Sequence, residues 1–215
     1  MARLTPDARR QAIVDATLAI ASRKGLATTT VRDVAAEMGT SSGLIHHYFH
    51  TMDEVLAAAF EQAAGGDLAE ARRRVEHADD ALEQLAAFLG VYSPAQTDGT
   101  MQLWLDAWSE AARRPALQAV SRRLNLEWLE LVIGILRRGD TEGAFQCPDP
   151  VPSAWRVLSV LDGLALQVVA HDGLVSRSDA ISWAATALQS ELGLEADLVT
   201  APAELRGHRR APTTT

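Results

Sequence analysis

Ser41 to His50 read Ser-Ser-Gly-Leu-Ile-His-His-Tyr-Phe-His, a run of small, hydrogen-bonding and imidazole side chains with two aromatics near its end. On a helix of about 3.6 residues per turn, placing Ile45 at the centre of the buried side turns Tyr48 and Phe49 inward on its flanks. Gly43, His46, His47 and His50 then point away, with Ser42 and Leu44 at the edges. Such a face suits a DNA major groove, where base edges offer donors, acceptors and thymine methyls, and Gly43 lets backbone approach closely. His46 and His50 also stand four apart, a spacing that can hold a metal. No carboxylate or cysteine completes that set, so no metal is expected. No nucleophile elbow, phosphate loop or carboxylate pair is present, and neither catalytic residues nor a cofactor are expected.

A second group of chemistry-bearing side chains is the tryptophans, all five of them C-terminal: Trp104, Trp108, Trp128, Trp155 and Trp183. Met101, Trp104, Leu105 and Trp108 share one helix face, which either fills a core or lines an apolar site. Clustered tryptophans can also cage a quaternary ammonium. Asp162 lies in an otherwise apolar run and needs a partner, as a structural hydrogen bond or towards a ligand.

The elements that must position these groups are helical, because apolar residues recur at three and four rather than two. Thr5 and Pro6 open a first helix that Gly25 ends. Thr30 opens a second, closed at Gly39, and Ser41 caps a third that runs to about Tyr48, with an amide N-terminus that favours an anion. A fourth runs from Asp53 to about Arg74, with a bend or break expected at Gly65-Gly66. Further helices are expected at about 80–91, from Met101 to before Pro115, at 115–138, at 153–171 and at 178–192. Residues 93–99 and 139–152 are expected to be irregular. The chain is thus expected to be all-α, with about nine helices and no internal repeat.

Two short helices around a glycine turn make the helix-turn-helix pattern. The run Gly-Thr-Ser-Ser-Gly-Leu-Ile-His-His-Tyr-Phe, followed by Asp53-Glu54-Val55-Leu56, resembles the TetR family of bacterial transcriptional regulators. Thr40 stands where that family usually has valine, and Met52 where a phosphate-contacting lysine is common. The resemblance implies that Ser42, Gly43, Leu44 and His46 read the groove, while Thr30, Ser41, His47 and Tyr48 hold the phosphate backbone; Arg32 is a further DNA-binding candidate. A fainter likeness in Trp104 to Trp108, Leu136 to Phe145 and Leu161 to Leu166 points to the branch that contains the choline-responsive repressor of betaine synthesis.

The same resemblance implies an effector site among the fifth to eighth helices, for which Met101, Trp104, Trp108, Trp128, Trp155 and Gln167 are candidates. Plain core packing is the competing role for each. It also implies a homodimer formed through the last two helices. The eighth is apolar on several sides, and Leu158, Leu161, Gly163 and Ala165 are assigned there, with Ile181, Ala184, Ala185 and Leu188 from the ninth. The expected organisation is a DNA-binding domain at 1–52, a ligand-binding and dimerisation domain at 53–195 and a disordered tail at 196–215. Arg206, His208, Arg209 and Arg210 make that tail basic.

Composition narrows the remaining classes. The 215 residues are 47% hydrophobic and 22% charged, with a formal net charge of -8, which opposes a surface that wraps nucleic acid or an anionic membrane all round. The charge is divided: residues 1–50 hold 6 Lys+Arg against 4 Asp+Glu, while the rest hold 14 against 24. Apolar runs such as Leu164 to Ala170 are short of the ~20 residues of a membrane span. The N-terminus lacks an apolar signal region, and the single Cys147 cannot form an internal disulfide. The expectation is a cytoplasmic, dimeric, effector-released repressor of a palindromic operator, the alternative being a helical enzyme or binding protein with no DNA role.

Overall fold

Thr5 accepts the backbone N–H of Ala8 at 3.2 Å and, with Pro6 behind it, starts α1 (Pro6–Lys24). The computed structural model describes residues 5–92, 98–171 and 173–194. Among them, α1 is followed by α2 (Val31–Glu37), α3 (Ser42–Tyr48), α4 (Met52–Glu76), α5 (Ala81–Tyr92), α6 (Asp98–Ala111), α7 (Pro115–Glu142), α8 (Pro150–Ala170) and α9 (Arg177–Leu192). No strand occurs among the described residues. The expected disordered tail and the basic residues Arg206 to Arg210 lie outside them.

The chain divides into two compact units, Met1–Ala69 with Thr97–Trp128, and Glu70–Gln96 with Leu129–Thr215. In the first, α1 packs on α2 and α6, and α2 on α3. Its core at the N-terminal end joins Ile13, Val14 and Ile20 of α1, Val34 and Ala35 of α2, Ile45 of α3, Phe49, and Val55 and Ala59 of α4. Carboxylates fasten later helices to this end. Asp53 accepts the N–H groups of Ala116 and Leu117 at 2.8 and 3.2 Å, capping α7. Asp106 of α6 accepts the N–H of Leu26 just beyond α1.

In the second unit α8 packs on α9, and Arg156 grips both carboxylate oxygens of Glu191 at 2.6 and 2.9 Å. Glu142 caps α5 by accepting the N–H of Ala81 at 3.0 Å while pairing with Arg138. Its carboxyl is held below the ordinary range by that N–H first and by Arg138 second.

Three expectations require correction. Gly65 and Gly66 do not interrupt α4, which is continuous from Met52 to Glu76. The propensity cost of about 1 kcal/mol per glycine is too small to break a helix anchored by buried Val55, Leu56, Phe60, Leu68 and Val75. Residues 139–142 are helical rather than irregular, and α8 begins three residues before Ser153. At Gly139 a Cβ would fall inside the Phe145 ring, so the missing side chain lets that ring pack on the helix. Finally, α8 is apolar enough by length and composition to cross a membrane, with mean hydropathy 1.3. One of its stripes (Leu158, Leu161 and Ala165) is buried within the chain.

Candidate nucleic-acid interface

The turn between α2 and α3 is a Schellman motif. Gly39 stands at φ +60°, the N–H of Gly39 reaches the carbonyl of Ala36 at 3.1 Å, and that of Thr40 reaches Ala35 at 2.9 Å. This turn sets the start of α3 at Ser42. Glycine is required at position 39 because a side chain there would be strained at that φ.

The α2 end of the site is pinned by a capping box. Thr30 Oγ1 accepts the Asp33 N–H at 3.3 Å, and Asp33 accepts the Thr30 N–H at 2.8 Å and its hydroxyl at 2.6 Å. Lys24 also pairs with Asp33. This bond, followed by those from Thr30, holds the Asp33 carboxyl at about 2. The Thr30 hydroxyl proton is therefore directed at Asp33, and Arg32 beside it is exposed.

On α3, Ile45 is fully buried and Phe49 is 2% exposed. Gly43, His46, His47 and His50 are exposed, and Ser42, Leu44 and Tyr48 are half-buried. The Tyr48 ring meets His47 edge-on at 5.0 Å, which fixes both rings at one end of the face. Ser41 is the N-cap by backbone conformation, but its hydroxyl makes no capping bond, contrary to expectation. Sequence reasoning missed Arg10, whose guanidinium sits 4.6 Å over the Phe49 ring. The cue was available in the aromatic following Tyr48, but α1 is far from it in sequence.

The effector candidates fall in both compact units. In the first, Trp104 lies edge-on to Phe60 at 4.9 Å and 5.5 Å from Trp108. Trp128 is buried and Met101 half-buried. Asp67 of α4, unnoticed in the sequence, is bonded by Thr100, and burial raises its carboxyl. In the second unit, Trp155 is 43% exposed and Gln167 is exposed, so neither lines a closed apolar site within that unit. The partner that Asp162 needed is Tyr92, whose hydroxyl donates to Oδ1 at 2.6 Å. Burial lifts the Asp162 carboxyl to about 6 against the opposing pull of that bond. Tyr92 is raised well above its ordinary value by burial and then by Asp162, and its ring stacks on Phe88 at 5.3 Å.

The residues assigned to a dimer contact also divide. Leu158, Leu161 and Ala165 of α8 and Ala184, Ala185 and Leu188 of α9 are buried within the chain itself, because they fill its core. Little of their surface is left for a partner. Gly163 and Ile181 are exposed, and sequence reasoning missed Val151, Val160, Leu166 and Trp183, which are exposed apolar residues on the same two helices.

Residues 13–59 match the family described as bacterial regulatory proteins, tetR family, and residues 80–193 match the BetI-type transcriptional repressor C-terminal family. The HTH-type transcriptional regulator BetI 1 of Chromohalobacter salexigens is 37% identical over 125 residues, which is 56% of this chain and 61% of that protein. The chain thus spans about six-tenths of that relative's length. Among solved structures, a candidate transcriptional regulator of Pseudomonas aeruginosa PAO1 aligns with TM-score 0.72 and 26% identity, over 87% of this chain and 92% of that one. A regulator candidate of Saccharomonospora viridis, solved in complex with choline, shares the fold with TM-score 0.77 and 21% identity, over 85% and 96% of the two chains. With both segments matched in order, the chain belongs to the TetR family of bacterial regulatory proteins, with a BetI-type C-terminal region.

Proposed function

We propose that the protein is an effector-responsive transcriptional regulator, a homodimeric repressor that acts on operator DNA in the cytoplasm, rather than an enzyme. The observation that carries this reading is the exposed face of α3, held at a fixed angle by the Schellman turn at Gly39 and the core residue Ile45. Ser42, Gly43, Leu44 and His46 read base edges. Arg32, Ser41, His47 and Tyr48 hold phosphates and set register. Functionally the chain divides into a reading head at 1–52 and a sensing and dimerising body at 53–195.

Dimerisation uses the outer faces of α8 and α9, where Trp155, Val160, Leu166, Ile181 and Trp183 are exposed together with Gly163. The effector is a small organic cation. Asp162 is a partly buried carboxylate bonded to Tyr92, whose ring stacks on Phe88, and a carboxylate with ring faces is the chemistry that binds ammonium groups. Choline is the first probe because the Saccharomonospora viridis protein was solved with it.

Gel-shift with the promoter fragment upstream of the protein's own gene tests the regulator reading. Binding is expected to fall steeply with salt. His47→Ala and Tyr48→Phe should weaken binding to all sequences, whereas Ser42→Ala and His46→Ala should change preference. Absence of binding to any genomic fragment would reject a DNA role. Calorimetry with choline and betaine tests the effector class, and no heat from either would reject it.

A further inference from the structure

Between Glu37 and Asp53 the chain carries no Asp, Glu, Lys or Arg. Three of its six histidines, His46, His47 and His50, fall in that gap, and all three side chains are exposed. An imidazole is the side chain whose ordinary charge change lies between about pH 5 and pH 8. The exposed surface of α3 and of the two residues after it therefore holds no permanent charge and up to three conditional ones, His46 and His47 on the helix and His50 beyond it.

The fixed charges around it are already engaged. On α2, Asp33 pairs with Lys24 and Glu37 with Arg23 of α1, the latter at 2.8 Å, leaving Arg32 as the exposed cation of that helix. Arg10 of α1 lies over the Phe49 ring. At the start of α4, Glu54 accepts the backbone N–H of His50 at 2.8 Å, and Asp53 caps α7. Asp33 and Glu37 are thus each paired with a cation, whereas Asp53 and Glu54 are held by backbone N–H groups and keep their negative charge, Glu54 next to His50.

We propose that the reading head is a proton-coupled DNA binder, in which His46, His47 and His50 take up protons as α3 and the residues just after it enter the negative field of the duplex, so that affinity for DNA rises as pH falls. The proposal rests on the DNA-binding reading above and adds its regulation. A neutral imidazole has one N–H donor, whereas an imidazolium has two and a charge. Nearby phosphates favour the charged form. Each imidazolium seated on a phosphate releases condensed counterion, which steepens the salt dependence by about 0.9 in log–log slope.

The test uses the full chain and a duplex that it selects from a random-sequence DNA pool at neutral pH. Fluorescence anisotropy at constant ionic strength measures affinity across the histidine titration range. Wild-type affinity is expected to rise roughly tenfold or more from about pH 8 to about pH 6, with a steeper salt slope at the lower pH. The triple variant H46Q/H47Q/H50Q, which leaves Asp162 and the rest of the body unchanged, is expected to be flat. Wild-type affinity independent of pH, or a triple variant that keeps the full dependence, overturns the proposal. NMR titration of the imidazole Cε1 protons adds a reading that needs no variant. Their midpoints are expected to move up when the duplex is present, and unmoved midpoints overturn the proposal. If no duplex is selected, the DNA-binding reading fails and this proposal with it, whereas pH-independent binding sinks this proposal alone.

Discussion

Asp106 Oδ2 accepts the backbone N–H of Leu26 at 2.8 Å, joining α6 to the turn that follows α1, while its other oxygen accepts from Gln102 at 2.9 Å. Leu26 is fully buried, so its N–H has little recourse to water. Asp106→Ala should therefore destabilise the protein by about 1–3 kcal/mol, the usual cost of stranding a buried donor. It should also weaken DNA binding, because the same turn leads into the capping box at Thr30. Asp106→Asn keeps an acceptor and should recover much of the loss. Urea unfolding of the three proteins checks this, and equal midpoints for wild type and Asp106→Ala would contradict it.

Two glycine sites should respond in opposite directions. At Gly65 an added Cβ would sit 4.0 Å from Leu124 Cδ2, and at Gly66 it would meet nothing within 4 Å. Both lie inside the continuous α4, so alanine at each should stabilise by about 0.5–1 kcal/mol. Gly139→Ala drives a methyl into the Phe145 ring and should cost about 1–3 kcal/mol. Thermal melts of the variants give the signs directly. A loss on Gly65→Ala or Gly66→Ala would reveal a demand for flexibility that the helix geometry does not show.

The face proposed to meet a second copy can be separated from the core. Trp155 and Trp183 are 43% and 51% exposed, whereas Leu161 is 1% exposed. Trp155→Glu with Trp183→Glu should yield a folded monomer in analytical ultracentrifugation. Leu161→Ala should instead lose about 2–5 kcal/mol of stability by opening a cavity. A Trp155→Glu/Trp183→Glu protein that still sediments as a dimer would place the contact elsewhere.

How much of this was legible beforehand depended on the range of the interaction. The α3 face followed from local spacing: once Ile45 is inward, the outward set of Gly43, His46 and His47 is fixed by the helical period, and the structure exposes all three; His50 is exposed too, but it lies beyond the helix, after the extended Phe49. The Gly39 turn was equally local. By contrast, Asp106 meets Leu26 across 80 residues and Tyr92 meets Asp162 across 70, and periodicity carries no information about such pairs. The eighth helix was recognisably apolar on several sides, but composition alone does not say which stripe turns inward, so Leu158 and Leu161 were assigned to a partner rather than to the core. At Gly65-Gly66 a weak local preference was given more weight than the packing that overrides it.

The Asp162 carboxyl gives a pH signature. Burial raises it to about 6 in the folded chain, above the value near 3.9 of an unfolded aspartate. The folded state then favours the protonated form, so the group's contribution becomes adverse as pH rises from about 4 through about 6 and levels off above that. Asp162→Asn removes the titration while leaving an acceptor for the Tyr92 hydroxyl. Its stability relative to wild type should grow over that window and be constant at higher pH. Denaturation midpoints at pH values spanning the window check the trend, and a difference that does not change with pH would count against it.

Val55 and Ala59 of α4 belong to the same buried cluster as Ile13, Val34 and Ile45. This sets a rule for building chimaeras with relatives. A graft that exchanges only residues 1–52 would cut through a single hydrophobic core and pair Ile13 and Ile45 with foreign α4 side chains. A head that is to work on another body must carry α4 as far as Ala59 and bring the Asp106 segment of α6 with it, so the unit of exchange is discontinuous in sequence.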